Sequence, residues 1–146
     1  EALPGGPGIE IVGAVDGPEE DAFFDSVRAV VIPYGKRHFY AETYPASGAV
    51  AHAFAYGTPV VCTDYGALAE MDEYGTAVVV RSGGADADQV AASLAAATAS
   101  LVGDEQRLAD LSRRVDAYRA ACSAPRTAEA FARVWTDMLT RASVSV

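Results

Sequence analysis

Hydrophobic positions along the chain fall into two alternating kinds of segment. Short unbroken apolar runs stand at residues 29–33 (AVVIP), 59–63 (PVVCT) and 76–81 (TAVVVR). Continuous β-branched runs of this length suit parallel strands covered on both faces. A further run at residues 9–13 (IEIVG) is β-branched, closed by glycine, and predicts another strand. Between these runs the apolar period lengthens to that of a helix. Residues 18–27 (PEEDAFFDSV) begin with proline and carry acids in the first turn, where the helix dipole favours them. Phe23, Phe24 and Val27 share one face of that segment. Residues 47–57 (SGAVAHAFAYG) predict a helix capped by Ser47 and stopped by Gly57. Residues 67–75 (ALAEMDEYG) predict a short one with the same glycine stop. Beyond Ser82-Gly83-Gly84 the pattern is helical throughout. Val90, Leu94 and Leu101 mark residues 86–101, and Leu108, Leu111, Val115 and Tyr118 follow at spacings of three and four. Ser123-Ala124-Pro125 predicts a break, and residues 127–139 a last helix carrying Phe131, Val134, Trp135 and Met138.

Strands alternating with helices predict an α/β domain with a mainly parallel sheet of about four strands and a helical C-terminus. Ligands of such sheets sit outside the carboxyl ends of the strands. The loops after Pro33, Thr63 and Arg81 are therefore the ones to inspect.

Composition narrows the function classes. The 146 residues amount to one domain, and 51% hydrophobic content supplies a core. A net charge of −9 excludes an ordinary nucleic-acid binder, which needs a basic face. The same acidity argues against anchoring to an anionic membrane, and no apolar run is long enough to span one. With no secretory leader visible, the expected location is the cytoplasm. Cys62 and Cys122 predict two buried free thiols rather than a disulfide framework. His38 and His52 fall on different elements, so no metal site is expected. Abundant alanine, and arginine in place of lysine, suggest a GC-rich and hence bacterial genome. Charge is uneven: seven acids and no Lys or Arg occupy residues 1–26, and the single lysine lies in Lys36-Arg37-His38.

Candidate chemistry concentrates between Pro33 and Gly48. That stretch holds Lys36, Arg37, Glu42, Tyr44 and the pair Ser47-Gly48 opening a helix. A helix start offers unpaired N–H groups to an anion, and glycine lets a phosphate approach the backbone. The pair serves equally as an ordinary cap. Glu42 can accept hydrogen bonds from a polyol or stand in solvent, and Lys36 and Arg37 can neutralise a phosphate or solvate the loop. His52 is a ligand contact or a packed polar residue. Glu70, in TDYGALAE, is a ligand contact or a surface acid. No nucleophile–base pair, nucleophile elbow or Walker loop is present.

Taken in order, VVIPY, ETYPASGAV, HAFAYGTPVVCTDYGALAE and YGTAVVV, trailed by DEQRLADLSRRV, resemble a known family. They are similar to the donor-binding domain of GT-B glycosyltransferases of the group 1, family 4-like type. The resemblance implies a Rossmann-like fold, the C-terminal half of a GT-B enzyme, with a nucleotide sugar at the carboxyl edge of the sheet. It implies no cofactor and a metal-independent transfer. In the family, two motif glutamates separated by seven residues contact the transferred sugar and the ribose, and the helix start holds the diphosphate. Here the second position is His52 and the first, counted without gaps, is Tyr44. Glu42 matches with a two-residue insertion. Ser47 and Gly48 fall at the diphosphate position, and Gly66 and Glu70 on the later glycine turn and its glutamate. The resemblance further implies an acceptor domain upstream. Residues 1–146 would then be one partial donor-binding domain, inactive alone, with a nucleotide sugar and that acceptor domain as its partners. The alternative is a non-catalytic α/β interaction or regulatory domain that has lost the donor site.

Overall fold

The computed structural model describes residues 8–35 and 47–144. The elements run α1 (Pro18–Ser26), β1 (Val30–Ile32), α2 (Gly48–Ala55), β2 (Val60–Thr63), a 3-10 turn (Gly66–Glu70), α3 (Met71–Tyr74), β3 (Ala77–Val80), α4 (Ala87–Val102), α5 (Glu105–Ala121) and α6 (Ala124–Val144). The three strands form one parallel sheet in the order β1-β2-β3. Val30 to Ile32 pair with Val60 to Cys62, and Val60 to Thr63 with Ala77 to Val80.

All four residues of central β2 are buried. Successive side chains on a strand point to opposite faces, so β2 divides its apolar residues between two cores. Val60 and Cys62 join Ile32, Val50, Phe54 and Val115 on the side of α2 and α5. Val61 joins Val80, Leu94 and Leu101 on the other, where α4 lies, together with Leu108 and Leu111 from the first half of α5, which thus contributes to both cores. This explains why the β2 run shows no alternation in sequence: neither face meets water.

Local chemistry fixes the helix ends. Asp86 and Gln89 form a reciprocal capping box at α4, with Gln89 N–H donating to Asp86 Oδ1 at 2.8 Å and Asp86 N–H to Gln89 Oε1 at 3.1 Å. Asp104 caps α5 by accepting from Arg107 N–H at 3.0 Å. Past the end of α2, Gly57 has φ +67°, and a Cβ there would meet Asp116 Oδ1 of α5 at 3.2 Å. Its carbonyl accepts from Ser112 Oγ at 2.8 Å, and Arg119 donates to the Ala55 carbonyl. Gly57 thus ends α2 and lets α5 approach it closely.

Four expectations need correction. Residues 9–13 form no strand, so the described residues contain three strands rather than about four. Ile9, Ile11 and Val12 are 63%, 65% and 48% exposed, and Gly13 turns the chain at φ +76°. A β-branched run becomes a strand only where a neighbour supplies the ladder and covers its apolar side chains. Residues 67–75 split into the 3-10 turn and the single turn of α3, which ends at left-handed Gly75. The predicted break is present between α5 and α6, but the last helix starts at Ala124 rather than 127, with Pro125 in its first turn, where the missing N–H would have no partner anyway. Cys62 is buried as expected, but Cys122, just past α5, is exposed.

α1 buries no residue. A small clasp holds it to α2: Phe24 stacks on Tyr56 with centroids 4.3 Å apart, Tyr56 Oη donates to Asp21 at 3.0 Å, and Glu20 contacts His52. On α6, Phe131, Val134, Trp135, Met138 and Leu139 are all exposed. Among the described residues, no helix is long and apolar enough to cross a membrane.

Candidate functional site

A cavity of about 920 Å³ opens at the carboxyl ends of all three strands. Its rim is three loops, each following one strand: Pro33-Tyr34-Gly35, Asp64-Tyr65-Gly66 and Ser82-Gly83-Gly84. Val90, Ala91 and Leu94 of α4 form an apolar wall. Parallel strands in register bring their ends to one edge, so three sequence-distant loops converge there.

Hydrogen bonds tie these loops together. Thr63 Oγ1 donates to the Tyr34 carbonyl at 2.6 Å, joining the first loop to the end of β2. Asp64 N–H donates to the Val80 carbonyl at 3.1 Å, extending the β2–β3 ladder by one step. Asp64 Oδ1 then accepts from Ser82 N–H at 2.9 Å and from Ser82 Oγ at 2.5 Å. Both bonds require an acceptor, and the Ser82 hydroxyl, followed by its backbone N–H, holds the Asp64 carboxyl below the usual range against the opposing effect of burial. Ser47 Oγ accepts from Val50 N–H at 3.3 Å, capping α2, and donates to Tyr34 Oη at 3.4 Å. The start of α2 therefore stands beside the cavity rim.

Glycine makes the rim permissive. Gly66 and Gly84 have φ +58° and +88°, a region L-residues enter at a cost of roughly 1–2 kcal/mol. A Cβ on Gly35, Gly48, Gly83 or Gly84 would meet nothing within 4 Å. Packing therefore does not require glycine at these four positions, and a ligand can come close to their backbone N–H groups. Among the described residues on the cavity wall, Asp64 carries the one charged side chain. Arg81, next to Ser82, points its guanidinium to Asp72 at 2.6 Å instead.

The residues singled out from sequence fall into three groups. Gly66 lines the cavity; Ser47 stands outside the lining but bonds to Tyr34 on it, and Gly48 is the residue that follows Ser47. His52 and Glu70 lie outside its lining: His52 faces α1, in contact with Glu20 and near Phe24, and Glu70 is exposed at the end of the 3-10 turn. Lys36, Arg37, Glu42 and Tyr44 lie outside the described residues, in the segment that follows Gly35. Sequence reasoning named the three loops but missed Tyr34, Asp64 and Ser82 as individual residues. The signal available was position alone, since each stands within two residues of a strand end. Among the described residues no group of three or more His, Cys, Asp or Glu could hold a metal ion.

The profile of the family described as "Glycosyl transferases group 1" matches residues 1–104. The chain belongs to the group 1 glycosyltransferases. The matched span contains all three strands, the three cavity loops and α4, while α5 and α6 lie beyond it. No curated protein and no solved structure gives a significant match. Membership makes glycosyl transfer the general chemistry to which this glycosyltransferase domain contributes.

Proposed function

We propose that the chain is the donor-binding part of a glycosyltransferase that moves a sugar from a nucleoside-diphosphate sugar to an acceptor. One observation carries the reading: the cavity at the carboxyl edge of the sheet has a glycine on each of its three loops, and the N-terminus of α2 stands next to it. Breaking the bond between the sugar and the diphosphate leaves its electron pair on the terminal phosphate oxygen, adding a third negative charge to the two the diphosphate already carries. Helix-start and loop N–H groups stabilise that charge where it develops, in a site partly shielded from water. Ser47, Gly48 and Gly66 supply such groups in this reading, and Lys36 and Arg37, following Gly35, add the cations the described wall lacks. Tyr44 in an ungapped count, or Glu42 with a two-residue insertion, would meet the transferred sugar. Transfer without a metal ion and an upstream acceptor domain rest on the family resemblance, and a cytoplasmic setting is part of the same proposal. Isothermal titration of the full-length protein with UDP and GDP tests the reading. Saturable binding weakened by Gly48→Val supports it, and absence of binding by both nucleotides refutes it.

A second reading, a domain that keeps the fold without the donor site, draws on His52. Its imidazole is engaged by Glu20, although the family places a ribose-binding acid there. Nucleotide binding that falls in His52→Ala would overturn this second reading.

A further inference from the structure

Parallel strands stop guiding their neighbours once the ladder ends, so the loops beyond β2 and β3 need another tie to stay in fixed relation. Thr63 pairs with Val80, and Asp64 N–H adds one bond to the Val80 carbonyl. Past that point the Asp64 carboxylate takes over, accepting both the N–H and the hydroxyl of Ser82. The two residues stand next to the glycine turns on the rim: Gly66 lies two positions after Asp64, and Gly83 and Gly84 follow Ser82 directly. An acid on the wall of a site for a diphosphate is unfavourable as a direct phosphate contact, because like charges repel. Both Ser82 donors engage Oδ1, so one oxygen of the carboxylate is committed to the protein. The acidic strength of Asp64 agrees with this arrangement, since both Ser82 donors favour the ionised form.

We propose that Asp64 is a positioning residue of the donor site, whose carboxylate, by holding Ser82, sets the spacing of the Gly66 and Gly83-Gly84 turns that receive the diphosphate. This deepens the donor-binding reading and rests on it. Asp64 acts through Ser82 and touches no phosphate. Removing the Asp64 carboxylate breaks both bonds, whereas removing the Ser82 hydroxyl breaks one and leaves the Ser82 N–H donating to Asp64.

A double-mutant cycle in the full-length protein, read by titration with UDP and GDP, tests this. Asp64→Ala, which loses both bonds, should weaken nucleotide binding by about 10-fold, as expected for hydrogen bonds to a charged group; Ser82→Ala, which keeps the backbone bond, should weaken it by about 3-fold, and the double variant should be no worse than Asp64→Ala. Asp64→Asn keeps an oxygen that accepts from Ser82, so it should stay within about 3-fold of wild type. In the free protein, amide exchange at residues 82–85 should quicken in Asp64→Ala and stay near wild type in Asp64→Asn. If wild type binds and Ser82→Ala is silent while Asp64→Asn is as weak as Asp64→Ala, Asp64 contacts the ligand directly and the proposal is overturned. Wild type that binds neither nucleotide overturns the donor reading, and this proposal with it.

Discussion

Gly48→Val separates folding from binding more cleanly than any other substitution at this site. Gly48 is the first residue of α2, is exposed, and has nothing within 4 Å of where a Cβ would stand. Valine and glycine differ in helix propensity by only a few tenths of a kcal/mol, slightly in favour of valine. Cap bonding by Ser47 uses the Val50 N–H and is untouched. Folding stability should therefore change by less than about 0.5 kcal/mol, as for a surface substitution away from special features. Binding should respond quite differently. A branched side chain at the mouth of the helix blocks close approach of a phosphate to the N–H groups of residues 48 and 49. Each hydrogen bond to a charged group is worth about 1.5–3 kcal/mol, so losing one costs roughly 10–150-fold in affinity. Thermal melts and UDP or GDP titrations on the same preparations measure both quantities. An unchanged dissociation constant in a variant with an unchanged melt would refute the assignment of the α2 start to the diphosphate. A variant that unfolds would refute the packing argument instead.

Other predictions follow from burial and protonation. Leu101 is fully buried in the core beneath α4, so Leu101→Ala should cost about 2–5 kcal/mol in chemical denaturation. Because the Asp64 carboxyl titrates below its unfolded value, its stabilisation is present above about pH 4 and fades as pH falls through the lower folded value. Asp64→Asn should accordingly flatten the stability profile below about pH 4 and leave its shape above that unchanged. Cys62 is buried, and burial, reinforced by the Asp64 charge, pushes its thiol up to about 11, whereas Cys122 is exposed. A thiol reagent at neutral pH should therefore label one cysteine of the native protein promptly and the second only on denaturation, with peptide mapping locating the first at Cys122.

Much of this architecture was legible because it rests on local pattern. The runs at 29–33, 59–63 and 76–81 contain the three strands, and the caps at Ser47, Asp86 and Asp104 open the predicted helices. The 9–13 run misled because β-branching measures fitness for a covered sheet surface, and no partner covers it among the described residues. The site was legible as loops but not as residues. Strand order brings Tyr34, Asp64 and Ser82 to one edge, and only the assembled sheet reveals that Asp64 reaches a serine 18 positions away. His52 carried a motif position in the sequence, but its neighbours Glu20 and Phe24 come from α1, 32 and 28 residues earlier, a contact no spacing rule encodes.

Donor binding at the carboxyl edge of the sheet is the central claim, and amide chemical-shift mapping during a UDP or GDP titration of the full-length protein tests it most directly. The account predicts saturable shifts concentrated at residues 34–35, 47–50, 64–66 and 82–85, the cavity rim and the start of α2. Shifts that saturate elsewhere, on α6 or the outer face of α5, would contradict it, as would a titration that leaves the rim unmoved.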